Sequence, residues 1–316
     1  MTLSSLKQIE FETAAAPASA AFDVALPAEL ARFGRTARVS VEGPEDAPLI
    51  VVLGGISGGC FPGRWWSGLV GAGGAVDPAR HRLLGLDFIA DPAGESAPRP
   101  LDQAIALCAA LDTICVEKAH AVIGASYGGM IALALGQHFP ERAERLVVIS
   151  ADASPHPAST AIRELQRRIV ALGLTNGNAD EALSIARGLA MLSYRTREEF
   201  AARFEGGIEE ENVLGRSDPG TYLRSRGEAF VARMTPQRFL SLSASIDRHR
   251  VEAARIRVPT LLIGADSDQL VPPAQMEALA GALAGPARLH LLPSLYGHDM
   301  FLKDADRISA LVEAFL

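Results

Sequence analysis

The chain has 316 residues, 48% hydrophobic and 21% charged, a balance that suits one large folded domain with a modest insertion and excludes a disordered chain. Thirty basic against thirty-seven acidic residues leave a formal charge of -7, which argues against a nucleic-acid-binding surface. Cys60, Cys108 and Cys115 form no CxxC or zinc-ligand pattern, and their odd number suits a reducing compartment better than a disulfide framework.

The opening MTLSSLKQIEFETAAAPASAAF carries acidic side chains and no long apolar run, so it does not read as a secretory signal. No stretch reaches the roughly 18 apolar residues of a membrane span, and the expected location is the cytoplasm. Residues 36–41 read as an exposed antiparallel strand. The runs LIVVL at 49–53, LLGL at 83–86, HAVI at 120–123, LVVI at 146–149 and TLLI at 260–263 have the length and composition of parallel strands covered on both faces. Helical spacing marks 101–116, 128–138 (stopped by Pro140), 274–284 after Pro272-Pro273, and 304–316. This alternation predicts an open α/β sheet.

Residues 155–250 differ. They hold helix-compatible stretches at 160–172, 179–192, 196–205 and 236–249, punctuated by Gly173, Gly177, Gly206, Gly207, Pro219 and Pro236. The expected organisation is a core of residues 1–154 and 251–316, with residues 155–250 inserted as a helical lid over the carboxyl ends of the strands, where a pocket can form.

The segment VIGASYGGMIALAL at 122–135 holds Gly124-Ala125-Ser126-Tyr127-Gly128, a GxSxG motif between an apolar strand and an apolar helix. In that context the small residues permit a tight turn that lifts the Ser126 hydroxyl above the sheet, with the Tyr127 amide aimed at the oxygen of an attacked carbonyl. A serine hydroxyl is a weak nucleophile without a base, and the acid and base should follow in the order Ser, Asp, His. Asp266 and Asp268 lie just past the strand at 260–263, and Asp268 is favoured, with Asp266 as a turn former. His298 follows the last strand-like run and is the candidate base; His249 could also face a pocket. Cys108 and Cys115 sit on an apolar helix and read as packing residues. The glycine-rich stretch 53–59, LGGISGG, can supply a second oxyanion donor, with the Ile56 amide first and Gly55 next. A phosphate nest is the alternative use of such a loop, although neither a GxxxxGK[ST] nor a GxGxxG pattern is present.

These stretches, with RLVVIS at 145–150, LQRRIVALGL at 165–174, ALSIARGLAMLSYRTREEFAARF at 182–204, RFLSLSASIDRHR at 238–250, SDQLVP at 267–272 and SLYGHDMFLKD at 294–304, resemble the homoserine O-acyltransferases of α/β-hydrolase fold (the MetX family), most of all its homoserine O-succinyltransferase members. The resemblance spans nearly the whole chain beyond the N-terminal strands. It implies Ser126 as nucleophile, selects Asp268 as acid and makes His298 the base. It also implies that Arg195 and Asp299 bind the amino-acid substrate, with Tyr222 in the same pocket. The implied reaction moves a succinyl group from succinyl-CoA to L-homoserine through an acyl-serine, in methionine biosynthesis. Acetyl-CoA as donor, serine as acceptor, and plain ester or thioester hydrolysis are the competing outcomes. No permanently bound cofactor and no metal is implied, acyl-CoA being a co-substrate, and the family suggests a homodimer.

The chain departs from the family in three places. The stretch GGCFPGRWW at 58–66 is shortened, Ser225-Arg226-Gly227 replaces an aromatic-Gln-Gly pattern, and Asp247-Arg248-His249-Arg250 ends in arginine rather than an acid. Arginines at these points suit either a carboxylate-bearing acyl group or coenzyme A phosphates.

Overall fold

The computed structural model describes residues 20–208, 213 and 215–316. The reading of the first residues as no secretory signal falls largely on 1–19, outside that range. In chain order come β1 (Ala20–Ala25), β2 (Thr36–Glu42), β3 (Leu49–Leu53), α1 (Pro62–Trp65), β4 (Arg82–Leu86), α2 (Pro100–Thr113), β5 (Ala121–Ala125), α3 (Tyr127–His138) and β6 (Leu146–Ile149). The helices α4 (Pro157–Asn176), α5 (Ala179–Tyr194), α6 (Arg197–Arg203), α7 (Asp218–Val231) and α8 (Pro236–Asp247) follow. The chain then returns through β7 (Thr260–Ala265), α9 (Pro273–Ala282), β8 (Ala287–Leu292), α10 (Met300–Lys303) and α11 (Ala305–Glu313).

Among the described residues the strands form one eight-stranded sheet in the order β1-β2-β4-β3-β5-β6-β7-β8. β2 pairs antiparallel with β1 and β4; every later pairing is parallel. Every residue of β3, β5, β6 and β7 is buried, because both faces of the sheet are covered. Alternation along each strand feeds two cores. Val51 and Leu53 join the core that includes α2, α3 and the lid helices, whereas Ile50 and Val52 join the one that includes Trp66, Phe301 and α11.

Two elements escape the sequence pattern. β1, AAFDVA, is an edge strand rich in alanine and broken by Asp23, so it lacks the branched apolar run of the central strands. α7 is a 14-residue helix where Pro219 and its neighbouring glycines suggested a break. Pro219 sits in the first turn, where a helix needs no amide donor, and the Ser217 side chain caps that turn by accepting from the Gly220 amide at 3.2 Å. Gly227 marks a helix crossing. A Cβ there would lie 2.1 Å from Ser184 Oγ, so glycine lets α7 press onto α5.

The turn between β5 and α3 is the tightest in the fold's centre. Ser126 is held at φ 54° and ψ -115°, a conformation that costs a non-glycine residue roughly 1–3 kcal/mol and persists only where surrounding contacts enforce it. The Ser126 amide donates to Ile149 O at 2.8 Å, and the Gly128 amide donates to Gly54 O at 2.8 Å. A Cβ on Gly124 would lie 2.1 Å from Gly128 O, and one on Gly128 would lie 2.3 Å from Leu53 O. Both clashes involve backbone, which cannot swing aside. Gly128→Ala is therefore expected to destabilise the protein by roughly 1–3 kcal/mol, read as a lower midpoint in urea unfolding.

Candidate active site

Three side chains from three separate loops meet above the parallel strands. Ser126 stands on the strained turn after β5. Asp268 lies in the turn after β7, where its Oδ1 accepts the Leu270 amide at 2.8 Å and the Val271 amide at 3.0 Å. His298 lies in the turn Gly297–Asp299 after β8. Its Nδ1 donates to Asp268 Oδ2 at 2.8 Å, and its Nε2 sits 2.8 Å from Ser126 Oγ, placed to accept the hydroxyl proton. Asp266 is exposed and accepts only the Ser294 amide, at 3.2 Å, so the two aspartates separate cleanly into ring partner and turn former.

Gly297 lets the histidine loop approach the lid. It has φ 55°, and a Cβ there would lie 2.6 Å from Tyr194 O at the end of α5. The His298 ring is then flanked by Tyr194 and Phe301, with centroids 5.7 and 6.3 Å away. Burial by itself would lower the His298 pKa. The charge of Asp268, its hydrogen bond and the nearby Asp299 outweigh burial and the opposing charge of Arg163, so the pKa is raised above the ordinary 6.5.

The two proposed oxyanion amides lie on the Gly54 loop and at the start of α3, which the Gly128–Gly54 hydrogen bond ties together. Neither the Ile56 nor the Tyr127 amide has a hydrogen-bond acceptor within the protein among the described residues. The shortened loop is pinned by Trp65, whose Nε1 donates to Gly59 O at 3.2 Å and whose ring fills the space beside Gly54. The Tyr127 side chain points away from the nucleophile into the core, and its ring packs edge-on against Phe88.

Ser126 and His298 open into a cleft of about 580 Å³, part of it open to solvent, whose walls include Tyr194, Ser150, Asp152 and Arg163. Arg195, Asp299 and Tyr222 are not among the residues lining it. Arg195 is buried at the C-terminal end of α5, not solvated, and is already engaged: its Nε donates to Asp299 Oδ2 at 3.2 Å and its Nη1 to Glu199 Oε1 at 2.5 Å. Asp299 follows His298 directly, so this ion pair abuts the His298 ring. Tyr222 stacks near Phe204 (5.2 Å) with Arg195 Cζ 5.8 Å from its ring.

Sequence reading alone did not single out Arg163, Glu199 or Tyr194. Arg163 and Arg167 are one helical turn apart on α4 and both reach Asp247, a spacing visible in the sequence but without meaning until α8 is placed beside it. Of the arginines at family departures, Arg226 is exposed with its Cζ 5.5 Å from the Tyr222 ring, and Arg250 donates to His249 O at 3.2 Å. His249 is buried, does not line the cleft, and is pushed down to about 3 chiefly by burial, so it stays neutral. Burial pushes the Cys60 and Cys108 thiols up to about 11, which leaves them protonated and poor nucleophiles. Among the described residues no cluster of three or more His, Cys, Asp or Glu side chains could hold a metal ion, and no helix is long and apolar enough to cross a membrane.

Comparison with known proteins places this geometry. The alpha/beta hydrolase fold family matches residues 48–305. A homoserine O-succinyltransferase of Xanthomonas campestris pv. campestris is 40% identical over 288 residues, covering 88% of this chain and 78% of its own. The chain belongs to the homoserine O-acyltransferase family. A homoserine O-acetyltransferase of Thermus thermophilus is 35% identical over 283 residues, covering 80% of this chain and 72% of the relative. The crystal structure of esterase E22 superposes with a TM-score of 0.81 at 17% identity, covering 94% of this chain and 99% of that one, a likeness of fold alone. The protein is thus an enzyme of α/β-hydrolase fold, within a family that includes both succinyl- and acetyltransferases.

A base must be neutral to accept a proton. Acylation of Ser126 should therefore rise with pH through a midpoint above 6.5, the ordinary histidine value. In Asp268→Asn the largest raising influence is gone, burial dominates, and the midpoint should move down while the rate falls by about 10⁴-fold. Stopped-flow acylation rates against pH check both shifts; an acid limb that ignores Asp268→Asn would detach this residue from the histidine.

Proposed function

We propose that the protein transfers a succinyl group from succinyl-CoA to the hydroxyl of L-homoserine, through a covalent acyl-Ser126 intermediate, in methionine biosynthesis. The observation that carries the chemistry is the line Ser126–His298–Asp268. His298 takes the Ser126 proton as the oxygen attacks the thioester carbonyl, and Asp268 stabilises the charged ring. The amides of Ile56 and Tyr127 receive the oxyanion, and coenzyme A departs with the proton. Homoserine then enters, gives its hydroxyl proton to His298 and attacks the acyl ester, and the Ser126 oxygen leaves with the proton that His298 returns. The route is ping-pong and uses no resident cofactor.

Arg163 favours the succinyl donor. It lines the same cleft as Ser126, its side chain is 13% exposed, and it shares the Asp247 carboxylate with Arg167. Two guanidinium groups on one carboxylate leave a positive charge at the acyl end of the cleft, which an acetyl group cannot use and a succinyl carboxylate can. Asp152, the other charged wall residue, accepts from Gln275 at 2.8 Å, and burial raises its pKa, which weakens its competition for Arg163.

For the acceptor, the family resemblance supports Arg195 as the partner of the α-carboxylate and Asp299 as that of the ammonium group, reached when their ion pair beside His298 opens, with Tyr222 near Arg195. Water is smaller and more abundant than homoserine, so the lid over residues 155–250 favours transfer by ordering the amino acid and excluding solvent. The unpaired apolar side chains Leu165, Leu172, Ile185 and Leu192 on α4 and α5 suit a homodimer contact, and three free thiols suit the cytoplasm.

Intact-mass measurement after mixing with succinyl-CoA, then with homoserine, tests the reaction. The protein should gain one succinyl group and lose it as O-succinyl-homoserine forms, whereas Ser126→Ala should gain none. Release of succinate in place of the amino-acid ester would make the enzyme a hydrolase. Arg163→Ala should lower kcat/KM for succinyl-CoA by roughly 10- to 100-fold, the worth of hydrogen bonds to a charged group, and leave acetyl-CoA nearly unchanged.

A further inference from the structure

The segment RFLSLSASIDRHR runs from α8 into the turn that follows it, and the polar side chains of α8 divide between two faces. Ser241 and Ser245 are four residues apart and share one face, as Ser243 and Asp247 share another. The three serines are 0–1% exposed.

The first face grips the core beside the nucleophile. Ser241 Oγ accepts the Asp91 amide at 2.9 Å. Ser245 Oγ lies 2.5 Å from the hydroxyl of Tyr127, the residue that follows Ser126. Gln103 Nε2 donates to that hydroxyl at 3.1 Å, so the Tyr127 hydrogen is directed to Ser245. Gln103 is fixed in turn, accepting from Ile89 N at 2.9 Å and donating to Ile89 O at 2.7 Å. The second face grips α4. Arg167 Nη1 donates to Ser243 O at 3.1 Å and to Asp247 Oδ2 at 2.6 Å. Arg163 donates through Nε and Nη2 to Asp247 Oδ1, at 2.9 and 2.6 Å. One helix thus joins the residue next to the nucleophile to an arginine in the cleft wall.

We propose that α8 is a positioning element for donor selection, in which the Tyr127–Ser245 hydrogen bond registers Asp247, and through it Arg163, against Ser126. The inference rests on the reading of Arg163 as the anchor for the donor carboxylate. A carboxylate bound to Ser126 through a short acyl chain has little slack, so a small shift of α8 moves the cation out of reach. An acetyl group has no such requirement. The helix keeps other ties, including Arg238 Nη2 to Phe88 O at 2.8 Å, so loss of one hydroxyl should shift α8 without releasing it.

The test uses Tyr127→Phe, Ser245→Ala, the double variant and Ser245→Thr, with kcat and KM measured for succinyl-CoA and acetyl-CoA at saturating homoserine. Each single variant should lose about 3- to 10-fold in kcat/KM for succinyl-CoA, the scale of one buried hydrogen bond. The loss should fall mainly on KM, and in the Ser245 variants acetyl-CoA should stay within about two-fold. The double variant should be no worse than either single one, because both break the same bond, and Ser245→Thr should restore selectivity. Equal losses for both donors, unchanged selectivity, or multiplying losses would overturn the positioning role. A wild-type enzyme indifferent to the donor carboxylate would instead sink the Arg163 reading and this inference with it.

Discussion

The site depends on one imidazole held between two oxygens. Its burial opposes a charged ring, and the carboxylate of Asp268 restores what burial removes. That balance only works if the carboxylate cannot turn away, and the amides of Leu270 and Val271 secure its second oxygen. The imidazole loop is secured from the other side by glycine, since the Tyr194 carbonyl leaves no room for a side chain at 297. Directed hydrogen bonds thus fix the ring's orientation and its tautomer, and the geometry for proton transfer exists before any substrate arrives.

The parallel sheet explains why residues so distant in sequence can meet. β5, β6, β7 and β8 lie side by side and point the same way, so the turns that follow them gather at one end. The lid leaves after β6 and returns before β7, which sets α4 and α8 over that end. Its helices do not meet the core through apolar packing alone. The serine stripe and Asp247 of α8 give them a directional hydrogen-bonded seam, which specifies position more narrowly than oil-like contacts can.

The buried central strands, the elbow helix and the order Ser, Asp, His were legible because each leaves a local trace: an apolar run, a GxSxG between strand and helix, an acidic turn after a strand. β1 was not, since its alanines and Asp23 make no run of branched apolar residues. α7 was not, because Pro219 reads as a break when its place in a capped first turn is unknown. The triad's separation into ring partner and turn former needed coordinates or kinship, as Asp266 and Asp268 look alike in sequence. Arg163 was invisible for a different reason: its setting is made by Asp247, 84 residues away. The same holds for Glu199, whose grip on Arg195 turns a surface-looking charge into an interior one.

The Arg195–Asp299 contact has a consequence for what can enter beside the histidine. Without substrate, Asp299 is paired with Arg195, which Glu199 also holds. On the acceptor reading, an amino acid brings one group of each sign and can exchange partners with the pair, leaving neither ion bare in a dry setting. A free carboxylic acid or an amine brings half of that exchange, and a neutral alcohol brings none of it. On that reading the contact discriminates among hydroxyl compounds by their charge, and the exclusion of neutral water falls to the lid.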